Sequence, residues 1–197
     1  MVVGITGASG SGKSIIAEKL REKLNSKIVD ADQIARKLAE KGNIYYAEIV
    51  KYFGIGILDE QVEIDRRKLA EIVYEDKEKM AKLNQLTKDY VAKEIRSEAL
   101  ELEKRNIVII DVPLLVESGL NSICNIVISA IADEEAKLER ICSRDKIDIN
   151  FARKRLSIQP KDSFYINNSD YIIKNNGADD LEEQIEEIVD CIKHGKN

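Results

Sequence analysis

Residues 2–14 read VVGITGASGSGKS and place a glycine-rich loop between an apolar run and an amphipathic one. The run from Val2 to Ile5 predicts a buried strand, and the stretch that follows Ser14 predicts a helix. Between them, residues 7–14 match the P-loop pattern G-x-x-x-x-G-K-[ST] in full. A glycine-rich structural turn is the alternative, but it requires neither the strand nor the helix. The context therefore favours a binding site for a nucleoside triphosphate.

The residue types of this loop predict how the triphosphate is held. Glycines let backbone N–H groups turn toward phosphate oxygens, and the helix N-terminus adds partial positive charge. Lys13 can reach the β- and γ-phosphates, and the Ser14 hydroxyl can ligate Mg²⁺. We therefore expect nucleotide contacts from seven consecutive residues: Ala8, Ser9, Gly10, Ser11, Gly12, Lys13 and Ser14.

The composition is that of a globular, non-membrane protein with one well-cored domain. The chain has 197 residues, of which 44% are hydrophobic and 34% charged, and its net charge is −5. The negative charge argues against a general nucleic-acid binder, and no apolar run approaches the roughly 18 residues that span a bilayer. The first strand begins at once, so we expect no signal peptide and a cytoplasmic location. The three widely spaced cysteines (Cys124, Cys142 and Cys191) predict reduced thiols.

Two aspartates follow the second predicted strand, Lys27 to Asp30. Alternation along an extended chain would put Asp30 and Asp32 on the same side, at the strand end where ligands bind in open α/β sheets. Asp32 could instead merely cap the helix that follows, because Asp is a preferred N-cap. Beside a P-loop, the pair favours a functional role, with one carboxylate near Mg²⁺ and one near an acceptor hydroxyl.

A third strand, Ile107 to Asp111, consists of four hydrophobic residues that end in an aspartate. This pattern resembles a Walker B strand, in which the carboxylate helps to hold Mg²⁺. A strand-end aspartate that is satisfied by neighbouring N–H groups is the alternative. The predicted metal ligands are therefore Ser14, Asp30 and Asp111.

Five apolar strands separated by helical segments predict an α/β fold, a three-layer α/β/α P-loop architecture around a five-stranded parallel sheet. The remaining strands are Ile126 to Ala130 and Asp170 to Lys174. We expect a single domain with a core (about 1–32, 106–139 and 168–197), a helical acceptor-side region (about 33–105) and a lid (about 140–167). Within the helical region, Asp65 is expected to cap a helix, and residues 54–60 are expected to form a loop. Asp76 starts a long charged segment that reaches about Arg105 and carries apolar residues at roughly helical spacing.

The segment from Arg140 to Lys161 is rich in cations. A charge run is usually a solvated face, yet a basic segment after the fourth strand of a P-loop kinase suits a lid that closes on phosphates. Arginine binds phosphate bidentately and stabilises the charge that spreads in the transition state. Spacing alone does not separate the candidates, which are Arg140, Arg144, Lys146, Arg153, Lys154, Arg155 and Lys161.

The motifs in this order resemble the dephospho-coenzyme A kinases, a family of P-loop proteins related to the nucleoside monophosphate kinases. The resemblance spans nearly the whole chain. Its more specific segments are Asp30-Ala-Asp-x-Ile-Ala-Arg36 and Val112-Pro-Leu-Leu-x-Glu117. Further segments include Ile64-Asp-Arg-Arg-x-Leu69, Arg144-Asp145, Gln159 and Asp170-x-Ile-Ile-x-Asn-x-Gly177. Lys88-Asp89 stands where the family usually has His-Pro.

The resemblance implies ATP-dependent phosphorylation of the ribose 3′-hydroxyl of dephospho-coenzyme A, the last step of coenzyme A biosynthesis, with Mg²⁺ as cofactor. By the same inference, Asp32 is the general base, and Lys13 and Arg140 act on the ATP phosphates. Asn175 lies near adenine, and Arg144 is a further nucleotide-binding candidate in the lid. We expect a monomer or a weak homo-oligomer that needs no nucleic acid or membrane.

Two other functions are compatible with a P-loop. The first is a kinase of the same group with another acceptor, such as a nucleoside monophosphate or a sugar acid. The second is a regulatory GTPase switch. The sequence Asp111-Val-Pro-Leu does not fit the D-x-x-G switch of GTPases, and Thr87-Lys-Asp-Tyr90 has the wrong spacing for their base-reading motif. The sequence therefore favours a small-molecule kinase over a switch.

Overall fold

A computed structural model describes residues 1–112, 114–177 and 181–194, in which strands and helices alternate along the chain. The strands are β1 (Val2–Thr6), β2 (Lys27–Asp30), β3 (Val108–Asp111), β4 (Ile126–Ile131) and β5 (Tyr171–Lys174). The first helices are α1 (Lys13–Leu24), α2 (Ala31–Leu38), α3 (Ile44–Phe53), α4 (Arg66–Glu75) and α5 (Lys77–Thr87). They are followed by α6 (Lys93–Leu102), α7 (Glu134–Asp145), α8 (Ile149–Ser157), α9 (Asp162–Asn167) and α10 (Leu181–His194).

The five strands form one sheet in the order β2-β3-β1-β4-β5. β1 pairs in parallel with both β3 and β4, and β4 pairs in parallel with β5. The register sets Ile5 opposite Asp111, so the first residues of the P-loop emerge beside the end of β3. The predicted five-stranded parallel sheet is confirmed.

The core lies where helices cover this sheet. Every residue of β1 is buried, as expected for a central parallel strand that helices cover on both faces. Apolar residues of α1 and α10 pack with the strands in one cluster, which includes Ile16, Leu20, Ile109, Ile128, Ile185 and Val189. Burying side chains of this size stabilises the fold by about 1.5–3 kcal/mol each. This packing fixes the start of α1, and therefore the P-loop, against the sheet.

The chain divides into two compact units, one of Met1–Val29 and Glu98–Asn197, the other of Asp30–Ser97. The second unit is helical. The Asp65 carboxylate accepts hydrogen bonds from two N–H groups in the first turn of α4, and Asp76 does the same for α5. The predicted cap at Asp65 is confirmed. The predicted loop of residues 54–60 contains one 3₁₀ turn, Ile55–Ile57.

A π-helical segment, Lys88–Ala92, joins α5 to α6 and packs on α2. The Tyr45 hydroxyl of α3 lies 3.0 Å from the Thr87 hydroxyl at the start of this segment. Lys88 and Asp89, the departure from the family pattern, therefore occur in an irregular turn of helix. π-helical turns are frequent at functional sites.

The cysteines are free thiols in the structure, as expected. Among the helices of the described ranges, we find none with the length and apolarity that a bilayer crossing requires.

Candidate active site

The P-loop connects β1 to α1, and its glycines approach neighbouring atoms so closely that they leave no space for a side chain, as Gly10 and Gly12 show. Gly12 has φ of +93°, and a Cβ atom there would lie 1.9 Å from the Asn175 Nδ2 atom. Gly10 has φ of +78°, and a Cβ atom there would lie 2.5 Å from the Lys137 carbonyl oxygen of α7. Both the left-handed backbone and the lack of space exclude a side chain.

The N–H groups of the loop fall into two sets. Those of Gly10, Gly12 and Ser14 donate to no acceptor within the described ranges, which leaves them available to phosphate oxygens. The Ser9 N–H donates to Gln159 Oε1 at 2.8 Å, and the Ser11 N–H donates to the Ala8 carbonyl at 3.2 Å. In this structure the backbone amides of Ser9 and Ser11 are therefore bound by protein acceptors.

The Lys13 side chain is folded onto the loop and only 9% exposed. Its ammonium group donates to the Gly7 carbonyl at 2.8 Å and to the Ala8 carbonyl at 3.0 Å. The charge therefore already lies inside the curve of the P-loop, where the phosphates of a nucleotide are expected.

Ser14 and Asp111 meet at the ends of α1 and β3. The Ser14 hydroxyl donates to Asp111 Oδ2 at 2.7 Å. A hydroxyl and a carboxylate are oxygen ligands that suit Mg²⁺, which prefers one or two carboxylates together with substrate phosphates to an all-protein cage. No group of three His, Cys, Asp or Glu side chains converges on one position in the described part of the chain.

Arg140 and Asn175 bind backbone carbonyls of the P-loop. The Arg140 guanidinium donates to the Gly10 carbonyl at 3.1 Å and to the Asn175 carbonyl at 2.8 Å. The buried Asn175 amide donates to the Ser11 carbonyl at 3.0 Å. The two predicted nucleotide-site residues are therefore brought to the loop, where their contacts are with its backbone.

Asp145 neutralises two of the candidate lid arginines. Arg144 binds it bidentately at 2.7 and 2.9 Å, and Arg155 of α8 forms an ion pair with the same carboxylate. The hydrogen bond from Arg144, and then the charge of Arg155, hold the pKa of Asp145 below its usual value against the opposing effect of burial. The Arg144 contact lies within α7, whereas the Arg155 ion pair joins α8 to α7.

Two other cations, Arg153 and Lys161, line a cavity of about 630 Å³ that reaches Ala8 of the P-loop. Neither side chain has a hydrogen bond or an ion pair within the described ranges. On the same wall, Lys137 is paired with Asp162. The structure thus separates the basic segment into paired cations and cations without a partner.

A family model described as dephospho-CoA kinase matches residues 1–180. The chain belongs to the dephospho-CoA kinase family. A protein of Fusobacterium nucleatum named dephospho-CoA kinase is 39% identical over 193 residues, which cover 98% of each chain. These matches confirm the predicted family and, with it, the predicted kinase function.

Solved structures place the chain in the same fold. A dephospho-CoA kinase from Campylobacter jejuni matches with a TM-score of 0.68 and 28% identity over 98% of each chain. A shikimate kinase from Acinetobacter baumannii matches with a TM-score of 0.57 and 19% identity over 99% of this chain and 94% of its own, which shows a shared fold alone. The predicted P-loop α/β fold is confirmed.

The aspartate pair of the dephospho-CoA kinase motif lies in the second unit, with a geometry that differs from the prediction. α2 begins at Ala31, so Asp32 is helical and strand alternation does not set it on the same side as Asp30. Asp30, not Asp32, is the N-cap, because its carboxylate accepts the Gln33 N–H at 3.0 Å. Asp32 is exposed in the first turn, with no hydrogen bond within the described residues. The capping alternative for Asp32 is therefore wrong.

Two arginines of the dephospho-CoA kinase segments share the surroundings of Asp32. Loss of hydration lowers the pKa of Arg66, and the neighbouring charge of Arg36 lowers it further, while Asp32 opposes both effects. Neither arginine has an ion pair within the described ranges. This part of the second unit therefore carries one carboxylate and two mutually repelling cations.

Two contacting residues had no assigned role in the sequence analysis. Gln159 entered only as part of the family resemblance, yet its side chain binds the P-loop backbone. Lys137 is buried beside Gly10 and resembles any other helix lysine in sequence. The only available signal was the position of Gln159 next to Pro160, where chain direction is fixed. Pro113 of the family motif lies outside the described residues.

Proposed function

We propose that the chain transfers the γ-phosphoryl group of ATP to the ribose 3′-hydroxyl of dephospho-coenzyme A, giving coenzyme A and ADP. The family match over residues 1–180 is the observation that carries this proposal. In the reaction, the 3′-oxygen forms a bond to the γ-phosphorus, and the bond from that phosphorus to the β–γ bridging oxygen breaks. The hydroxyl proton passes to a base, and ADP leaves.

Asp32 is the proposed base. Its carboxylate is exposed in the first turn of α2 and is not consumed by the cap, which Asp30 supplies. A positioned carboxylate of this kind contributes about 10²–10⁴ to a rate.

Arg36 and Arg66 support an acceptor that carries phosphate. Dephospho-coenzyme A contains a pyrophosphate group, whose charge would relieve the repulsion between these two guanidinium groups. A nucleoside monophosphate and a sugar acid are anionic as well, so the two arginines favour an anionic acceptor without selecting among these three. The family match is the observation that favours dephospho-coenzyme A.

The P-loop is the proposed ATP site. The available N–H groups of Gly10, Gly12 and Ser14 would bind phosphate oxygens, and Lys13 would neutralise the β- and γ-phosphates. Arg140 is proposed to stabilise the charge of the transferring group from its position against Gly10. Asn175 and Arg144 are proposed to contact the nucleotide at its adenine and phosphate ends, respectively.

Mg²⁺ is the proposed cofactor, with Ser14 and Asp111 as ligands and Asp30 as a further one. The 2.7 Å contact between the Ser14 hydroxyl and Asp111 is the observation that fits this ion. Bound there, Mg²⁺ supplies neutralisation of the β- and γ-phosphate charge. We further propose that the protein acts in the cytoplasm without a nucleic-acid or membrane partner, in keeping with its net charge of −5.

The test of this proposal is turnover with ATP, Mg²⁺ and each member of an acceptor panel, with the product identified by mass. We expect a gain of one phosphoryl group on dephospho-coenzyme A and none on shikimate or a nucleoside monophosphate. Asp32→Asn should lower kcat by about 10²–10⁴ while ATP binding is retained. Near-normal turnover of this variant would overturn the role of Asp32.

Asp76→Asn is the matched control. Asp76 is an aspartate of the same unit that caps α5, and asparagine caps a helix equally well. Its rate should equal that of the unsubstituted protein. An equal loss of rate in both variants would mean that the effect arises from the fold of this unit and not from a catalytic base.

A further inference from the structure

Three side chains bind the backbone of successive P-loop residues, and we call them the P-loop brace: Arg140, Gln159 and Asn175. Gln159 Oε1 accepts the Ser9 N–H at 2.8 Å. Arg140 donates to the Gly10 carbonyl at 3.1 Å, and Asn175 donates to the Ser11 carbonyl at 3.0 Å. Each contact joins residues 130 or more positions apart in the chain.

We propose that Gln159 is a positioning residue for nucleotide binding, which rests on the proposed use of ATP by this loop. Its side chain holds the Ser9 N–H on the outside of the loop, so that the N–H groups of Gly10, Gly12 and Ser14 remain directed to the phosphates. Gln159 itself contacts no phosphate.

The peptide geometry of the loop explains why one outward contact matters. A buried or partly buried N–H requires an acceptor, and without Gln159 the Ser9 N–H would turn to water or to a carbonyl of the loop. Because each peptide unit is planar, that rotation also turns the Ala8 carbonyl. This carbonyl accepts both the Lys13 ammonium and the Ser11 N–H, so the disturbance reaches the phosphate-binding lysine directly.

Gln159 also couples the loop to the lid segment (residues 140–167). It follows α8 and precedes Pro160, and it lines the cavity that Arg153 and Lys161 share with Ala8. A displacement of α8 therefore lengthens or breaks the hydrogen bond between Gln159 and the Ser9 N–H. Arg140 and Asn175 are joined to each other by the 2.8 Å bond between the guanidinium and the Asn175 carbonyl. Gln159 makes a single contact to the loop, which makes it the cleanest position to test.

The test is Gln159→Met, which keeps the length of the side chain and removes the acceptor oxygen. We expect the Kd for MgATP and the KM for ATP to rise by about fivefold to tenfold, the range that one lost hydrogen bond produces. The KM for dephospho-coenzyme A and kcat should remain within about twofold. Amide exchange at Ser9, followed by NMR, should accelerate by a similar factor.

Asn125→Leu is the matched control, because Asn125 Oδ1 accepts the Val2 N–H at 2.7 Å at the opposite end of β1. It removes the same kind of bond, from a backbone N–H to a side-chain amide oxygen, and should leave ATP binding unchanged. An unaltered Kd in Gln159→Met, or an equal loss in Asn125→Leu, would overturn the proposal. Because MgATP binding is measured without an acceptor, failure to phosphorylate dephospho-coenzyme A would count against the proposed function alone.

Discussion

Asp162→Ala should destabilise the protein more than Lys137→Met, although both substitutions break the same ion pair. The Lys137 ammonium lies 2.9 and 3.0 Å from the two Asp162 oxygens. The lysine side chain is 10% exposed and the aspartate side chain 37% exposed. The two partners therefore differ in how easily water can replace the lost contact.

The expected magnitudes follow from this asymmetry. Removing Asp162 leaves an almost buried ammonium without its carboxylate, and we expect a loss of about 3 kcal/mol in the free energy of unfolding, at the low end for buried pairs. Removing the Lys137 charge leaves a carboxylate that water can reach, so we expect a loss of about 1 kcal/mol. For a domain of this length, the first value corresponds to a decrease of about 6–12 °C in Tm.

Urea unfolding followed by circular dichroism measures both variants. Glu101→Ala is the control, since the Lys104–Glu101 pair is exposed by 64% and 74% and should change stability by less than about 0.5 kcal/mol. The reasoning fails if Lys137→Met is as destabilising as Asp162→Ala. It also fails if Asp162→Ala cannot be distinguished from the control.

Two further predictions concern the metal ligands and the lid. Asp111→Asn keeps an oxygen that can accept the Ser14 hydroxyl but loses the negative charge. In a Mg²⁺ titration, this variant should need about tenfold more Mg²⁺, or a higher excess, for half-maximal activity. An unchanged midpoint would mean that Asp111 is not a metal ligand. Asp145 has a lowered pKa, so its stabilising effect is complete above its unfolded pKa of about 3.9 and is lost as pH falls through the lower folded value. The Tm difference between the unsubstituted protein and Asp145→Asn should consequently be constant from pH 7 to pH 5 and shrink below about pH 4. A Tm difference that does not vary with pH would contradict the stabilising role of the ionised Asp145 carboxylate.

Features with local signals could be predicted from the sequence. The strand β1 is an apolar run that helices bury on both sides, and the P-loop residues follow it directly. Residues 2–14 therefore contain the strand, the loop and the start of the helix within one short window. The same holds for Asp111 at the end of β3, since parallel neighbours bring their carboxyl ends together. The structure brings Asp111 to Ser14, while their role as metal ligands stays a prediction.

The brace could not be predicted in the same way. Ser9 and Gln159 are 150 residues apart, and only the packing of α7 and α8 beside the loop decides which acceptor reaches an outward N–H. The prediction that strand alternation sets Asp30 and Asp32 on the same side was wrong for a local reason. Either aspartate could have capped the helix after β2, and Asp30 is the N-cap because α2 begins directly after the strand, at Ala31. Periodicity does not locate such a boundary to one residue.

The basic segment shows why a run of like charges cannot be interpreted residue by residue from sequence. Acidic partners within or beside the run decide which cations are neutralised: Asp145 binds Arg144 and Arg155, and Asp162 binds Lys137. A guanidinium held by a carboxylate would have to exchange that partner for a phosphate, with little net gain, because both bonds are charge-assisted. A cation that has no carboxylate partner loses only hydrating water when it binds a phosphate. Arg153 and Lys161 are therefore better placed than Arg155 to respond to a bound polyphosphate, and salt should weaken their contribution more than that of the paired cations.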